Sequence, residues 1–93
     1  MIESFKHKGL RELFVDNRTS KLPAVRLRKI KLILAMIHSA HDPRDFNIPA
    51  FRLHRLKAPP YEGFYSIDVS GNFRIIFRWA DGNAFDLDYL DTH

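Results

Sequence analysis

Hydrophobic positions along this chain recur at two periods, and the change from one to the other falls near residue 51. Leu10, Leu13 and Phe14 stand at helical spacing and predict a short helix over 6–17, running into a polar break at 16–20. Pro23 suits the first turn of a second helix, where its missing N–H costs nothing. From there to about Ala40, Leu27, Ile30, Leu34 and Ile37 keep the i, i+3, i+4 order, and Ile33 and Met36 widen the stripe. Arg26, Arg28, Lys29 and Lys31 fill much of the rest of its first half, and Asp42-Pro43 ends it. Residues 41–50 read as a connector. After Phe51 apolar and polar residues alternate, which predicts strands over 51–56, 64–69, 73–79 and 84–90, with a Pro- and Gly-bearing loop at 57–63.

The alternation also predicts a register. Three apolar rows run through Tyr65, Ile67 and Val69, then Phe73, Ile75, Phe77 and Trp79, then Phe85, Leu87 and Tyr89. They share one face only if each hairpin loop has an odd number of residues, because a one-residue slip turns every side chain over. Three-residue loops at 70–72 and 80–82 meet that condition, with Gly82 at the left-handed position. Tyr65–Phe77, Ile67–Ile75 and Val69–Phe73 are then the core pairs of the first hairpin. Phe73–Tyr89, Ile75–Leu87 and Phe77–Phe85 are those of the second. The expected fold is α+β: one domain over 1–93, two N-terminal helices packed on a small, mostly antiparallel β-sheet. Arg74 falls on the opposite face, between Asp68 and Asp88.

Charge changes the picture through its distribution. The formal net charge is +4, but residues 1–57 hold 13 Lys/Arg against 5 Asp/Glu, whereas residues 58–93 hold 2 against 6. So basic an N-terminal part points to a polyanion such as nucleic acid, or to a solvated helix surface. The chain has no cysteine, which excludes disulfides and thiolate metal sites and suits a reducing cytoplasm. Its longest apolar run, residues 32–37, is far short of the roughly 20 residues that span a bilayer. The start, 1–6, lacks the apolar core of a signal peptide. A cytoplasmic protein with no membrane partner is the expectation.

The candidate chemistry is a metal-free set of His, Lys, Arg and Asp. The five histidines lack the paired spacing of a metal motif, and no Gly-rich phosphate loop or Ser nucleophile elbow occurs. His54, Arg55, Lys57, Arg74, Arg78, Asp91 and His93 are residue types that suit RNA cleavage through the 2′-OH, which needs a base, an acid and cations beside the phosphorane. Each also has a structural reading: His54 a strand histidine, Lys57 a loop lysine, Arg74 a bridge between strands, and His93 a terminal residue. Arg78 reads as structural or solvated. The residues alone lead to a basic α+β domain with RNA as one candidate target, and no further.

Further definition comes from a resemblance. Residues 2–10 (Ile-Glu-Ser-Phe-Lys-His-Lys-Gly-Leu), Arg52-Leu53-His54-Arg55-Leu56-Lys57 and Gly63-Phe64-Tyr65-Ser66-Ile67 look like the HigB branch of the RelE-like toxins, the plasmid-maintenance killer proteins. Asn72-Phe73-Arg74-Ile75-Ile76-Phe77 resembles that family's N-W-R-I-x-F element, with Phe73 for Trp. The close, Asp81-Gly82-x-Ala84 through Asp88-Tyr89-x-Asp91-x-His93, resembles its D-G-x-A and Y-x-D-Y-H ending. The resemblance covers essentially the whole chain and implies a RelE-like fold, no cofactor, and ribosome-dependent cleavage of mRNA in the A site.

It implies His54, Lys57, Arg74, Asp91 and His93 as the catalytic set. His93 or His54 would move protons, Arg74 and Lys57 would hold the phosphate, and Asp91 would orient a histidine. Arg26, Arg28, Lys29, Lys31 and Arg55 would contact RNA, including 16S rRNA of the 30S subunit, without reading sequence. The implied protein partner is a HigA-like helix-turn-helix antitoxin, through which the toxin would reach operator DNA.

One departure is Thr92, where the family commonly has Tyr. A ring stacking on a base is worth roughly 1–3 kcal/mol, so either cleavage is slower here or another aromatic, such as Phe51 or Tyr89, compensates. A terminal His93 further suggests a site completed by the ribosomal substrate. Two other readings share the fold: a ParE-like toxin acting on gyrase, and a nucleic-acid-binding or co-repressor protein without catalysis, including a toxin disarmed by Thr92.

Overall fold

The structure, a computed structural model, describes residues 1–91. Helix α1 (Lys8–Asp16) starts where His7 Nδ1 accepts the Leu10 N–H at 3.2 Å, and it ends at Asn17, whose left-handed backbone returns its N–H to the last turn. Gly9 is required by close approach: a Cβ there would lie 2.8 Å from the His7 ring and 2.9 Å from Lys21 Cβ. Helix α2 (Leu27–Ser39) begins a turn later than the pattern predicts, because Ala24–Arg26 after Pro23 forms a 3₁₀ turn. Ile30, Ile33, Leu34 and Ile37 form its buried face.

The connector carries more structure than expected. Pro43–Phe46 is a 3₁₀ turn capped by Asp42, and Pro49–Phe51 is another. Each places a phenylalanine in the core: Phe46 sits edge-on to Phe77 (5.5 Å), Trp79 (5.4 Å) and Tyr65 (6.4 Å), and Phe51 is buried. The strand expected over 51–56 shrinks to β1 (His54–Arg55). The reason is Arg52, whose φ of 48° turns the chain out of the 3₁₀ segment and leaves two residues to pair with β2.

Strands β2 (Tyr65–Ser70), β3 (Phe73–Ala80) and β4 (Asn83–Asp91) complete an antiparallel sheet in the order β1-β2-β3-β4. The N-terminus adds parallel bridges from Ile2 to Ala84 and from Phe5 to Leu87, which cover part of the β4 edge. The sequence pattern does not reveal this segment, since it is short and lacks alternation.

The expected register holds in part. Tyr65–Phe77 and Ile67–Ile75 pair as predicted, but Phe73 lies opposite Ser70, with an irregularity between Asp68 and Ser70. In the second hairpin Ile75 faces Tyr89, Phe73 faces Asp91 and Phe85 faces Arg78, so the three predicted core pairs there are displaced. Both loops have two residues, and each hairpin recovers the parity with a bulge. At the second bulge Asp86 adopts φ 56°, and Asp86 and Leu87 together oppose Phe77. A tight turn plus an extra residue keeps Leu87 and Tyr89 on the helix side, as a three-residue loop would, but between turn and bulge Ala84 takes the core position and Phe85, expected there, faces the helix-free side under Arg78.

All core residues of β2–β4 thus face the helices. On the other face Ser66 and Ile76 are also buried. The 57–63 loop leaves β1 at one edge, and its Tyr61 ring meets the Lys6 ammonium at the other, 5.7 Å from the centroid. The loop therefore crosses the helix-free face and covers part of it.

Candidate active site

Four side chains meet on that helix-free face, at the end of the sheet bearing the β2–β3 turn. The Arg74 guanidinium lies 3.1 Å from His54 Nε2, and His54 Nδ1 lies 2.9 Å from the Arg52 carbonyl oxygen. An arginine only donates and a carbonyl only accepts. His54 therefore carries its proton on Nδ1 and presents a lone pair at Nε2. Asp68, the register partner of Arg74, approaches it at 3.9 Å and approaches Arg52 Nε at 3.3 Å. These contacts close a ring: Arg52 side chain, Asp68, Arg74, His54 and back to the Arg52 backbone. Asp68 is mostly buried, with 21% of its side chain exposed, while Arg52 is 78% exposed. An imidazole with a directed lone pair beside an arginine fork can move a proton and hold a phosphate oxygen.

The expected bridge to Asp88 does not form. The bulge places Asp88 opposite Ile76, where its carboxylate accepts the Tyr89 N–H at 2.9 Å. Arg78 is structural, as expected: it donates to Asp86 at 2.8 Å and lies over the Phe85 ring. Lys57 is exposed, three residues after His54 at the root of the crossing loop. Asp91 reaches the same end of the sheet as Arg74 but pairs with Phe73, so it leans to the helix side. There its charge and burial both raise the Tyr89 hydroxyl above the usual tyrosine range, burial more strongly, against the pull of Arg26. His93 and Thr92 lie outside the described residues.

The expected RNA-binding cations divide by layer. Arg26 is held by the protein: Nε donates to Ser70 Oγ at 2.7 Å and the guanidinium covers the Phe73 ring at 4.2 Å. Lys29 donates to the Ala50 carbonyl at 3.1 Å. Arg28 and Lys31 are exposed on α2, across the sheet from His54 and Arg74. Arg55 pairs with Tyr65 and so turns to the helix side, the face opposite His54; it is exposed, donates to the Gly63 carbonyl and lies over the Tyr65 ring. The aromatics expected to stand in for the ring absent at Thr92 are not available: Phe51 is 1% exposed, and Tyr89 stacks on Phe73 at 5.4 Å.

The family model for the RelE-like toxin HigB of type II toxin-antitoxin systems matches residues 3–93. This chain belongs to the HigB-like toxin family. A Proteus vulgaris protein named Endoribonuclease HigB is 42% identical over 93 residues, covering the whole of both chains. Toxin HigB-1 of Vibrio cholerae serotype O1 is 30% identical over 94 residues, covering all of this chain and 98% of that one. The fold is similar to a crystal structure of a YafQ mutant from E. coli, with TM-score 0.58 and 11% identity over 92% of this chain and 88% of that one. The RelE-like fold is thus established by sequence family and by structure.

In this HigB-like toxin the other histidines among the described residues with contacts in the fold act as structural acceptors. His7 caps α1, and His38 Nδ1 accepts the Ile2 N–H at 3.1 Å while its ring packs edge-on against Phe14. Among the described residues no three His, Asp or Glu side chains gather as metal ligands, and no helix is long and apolar enough to cross a membrane. Sequence reasoning missed Arg52. Its signal, a left-handed non-glycine residue two positions before a histidine, exists only in the backbone.

Proposed function

We propose that this chain is an endoribonuclease toxin that cleaves mRNA in the ribosomal A site and is silenced by a HigA-like antitoxin. The observation that carries the reading is the His54–Arg74 pair, a directed imidazole lone pair within one hydrogen bond of a phosphate-binding fork. The family and the name of the Proteus vulgaris relative support it. In the proposed reaction a base takes the 2′-OH proton, the 2′ oxygen attacks phosphorus, and the P–O5′ bond breaks as an acid protonates O5′. The products are a 2′,3′-cyclic phosphate and a 5′-OH. His54 and His93 share the proton transfers, Arg74 and Lys57 hold the phosphate, and Asp91 orients His93. For His54 Nε2 to act, Arg74 turns from the ring to the phosphate, which frees the lone pair as the charge arrives.

The test is cleavage of a defined mRNA on programmed ribosomes and, in parallel, as free RNA, for wild type, His54→Ala and His93→Ala. Expected are ribosome-dependent cuts with cyclic phosphate ends that fall by about 10²-fold or more in each variant. A protein that arrests growth yet cuts RNA in neither setting would reject the nuclease reading in favour of gyrase or of binding alone. Comparable cleavage of free RNA would remove the requirement for a substrate-completed site.

A further inference from the structure

The ring of contacts around His54 contains two residues that no proposed step uses. Arg52 contributes twice. Its left-handed backbone aims a carbonyl at His54 Nδ1, and its side chain binds Asp68 through Nε. Asp68 stands between two guanidinium groups, at 3.3 Å from Arg52 and 3.9 Å from Arg74, on the largely buried side of the site. Its Oδ1 is buried and makes no hydrogen bond, so it attracts Arg74 by charge while the guanidinium nitrogen points at His54. A carboxylate in this position restricts where Arg74 can go without occupying the donors that a phosphate would need.

We infer that Arg52 and Asp68 are positioning residues that fix the tautomer of His54. The Arg52 carbonyl accepts the Nδ1–H, and Asp68 keeps Arg74 beside Nε2, so the lone pair stays on Nε2, directed at Arg74. Neither residue touches the reacting atoms. Both act by selecting one of two imidazole tautomers, and the wrong one would present an N–H where a base is needed. The inference rests on the nuclease reading only in giving His54 a proton to move; the tautomer itself is a property of the free protein.

The experiment is ¹⁵N NMR of the His54 ring in the full chain, at a pH where the ring is neutral, for wild type, Asp68→Asn and Arg52→Asn. Asparagine tolerates the left-handed backbone of residue 52, so that variant keeps the turn while removing the cation. Wild type is expected to show a protonated Nδ1 and an unprotonated Nε2. Each variant is expected to show a shift toward the Nε2–H form with an unchanged melting profile. On programmed ribosomes each should cleave about ten- to a hundredfold more slowly. The double variant should be no slower than the worse single one, since both act through one ring. If both variants fold and keep the wild-type tautomer, the inference is overturned. Should Asp68→Asn not fold, Arg52→Asn, an exposed position, decides alone. A wild type with no RNA cleavage but with the tautomer response would reject the nuclease reading and leave the positioning role standing.

Discussion

At the residue scale, the same chemistry takes opposite roles according to what surrounds it. His7 and His38 use Nδ1 to accept backbone N–H groups, whereas the Nδ1 of His54 donates to a carbonyl and leaves Nε2 for Arg74. Tyr89 illustrates burial acting on a titration. Its raised pKa means that the folded state favours the neutral phenol more than the unfolded state does. The stabilisation is present below the unfolded value near 10 and is lost as pH rises through the folded one. Spectrophotometric titration should find one of the three tyrosines ionising later than the others, and Tyr89→Phe should remove the late phase. The opposite sign applies to Asp86, held low by its hydrogen bond from Arg78: its contribution is present at neutral pH and is lost on acidification through its folded pKa. Of the expected site residues, His54 and Arg74 were legible in sequence through resemblance. Their contact was not, because nothing in the spacing of 54 and 74 says that β1 and β3 bring them to one end of the sheet.

At the element scale, the strands and helices follow from periodicity, but their ends and turns follow from single residues with unusual backbone angles. Asp81 and Gly82, with φ of 53° and 78°, make a two-residue turn of the type that suits twisted hairpins. Gly82→Ala should lower stability by about 1 kcal/mol in urea unfolding. The nearest atom to an added Cβ, the His41 carbonyl oxygen, is 3.9 Å away, so strain rather than collision is responsible. Counting apolar rows predicts the parity of each hairpin beyond its bulge but not the loop length, and between the second turn and its bulge the faces are reversed at Ala84 and Phe85. A two-residue turn with a bulge and a three-residue loop are equivalent in parity, and sequence alternation records parity alone. The displaced register is consequential, since it moves Asp88 away from Arg74 and leaves Asp68 as the carboxylate beside it.

At the scale of the whole molecule, the sheet separates two cationic regions. His54 and Arg74 lie on the helix-free side, and exposed Arg28 and Lys31 project from the helix layer behind it. One RNA strand lying flat on the site would not reach both, so under the proposed ribosomal reading the helix-layer cations meet a second RNA surface. Arg28→Ala and Lys31→Ala are therefore expected to weaken ribosome association. The slope of log affinity against log salt should fall by roughly one for each phosphate that is no longer neutralised. Single-turnover cleavage at saturating toxin should stay within about twofold of wild type, the opposite pattern to His54→Ala, which is expected to lose the chemical step itself. Salt titration of binding beside saturated cleavage rates separates the two classes.

From the sequence alone follow the α+β class, the helix-sheet packing, the side of the sheet that most strand residues face (Phe85 is the exception) and the identity of the main candidate groups. These rest on local periodicity and on residue type, which the chain carries wherever it is read. The tertiary structure alone decided which groups touch. The left-handed turn at Arg52 shortens β1 and aims a carbonyl at His54, the bulge at Asp86 sets which carboxylate meets Arg74, and the crossing loop closes part of the face. Each of these depends on backbone angles and long-range pairing, and a one-dimensional pattern of apolar and polar positions holds no record of either.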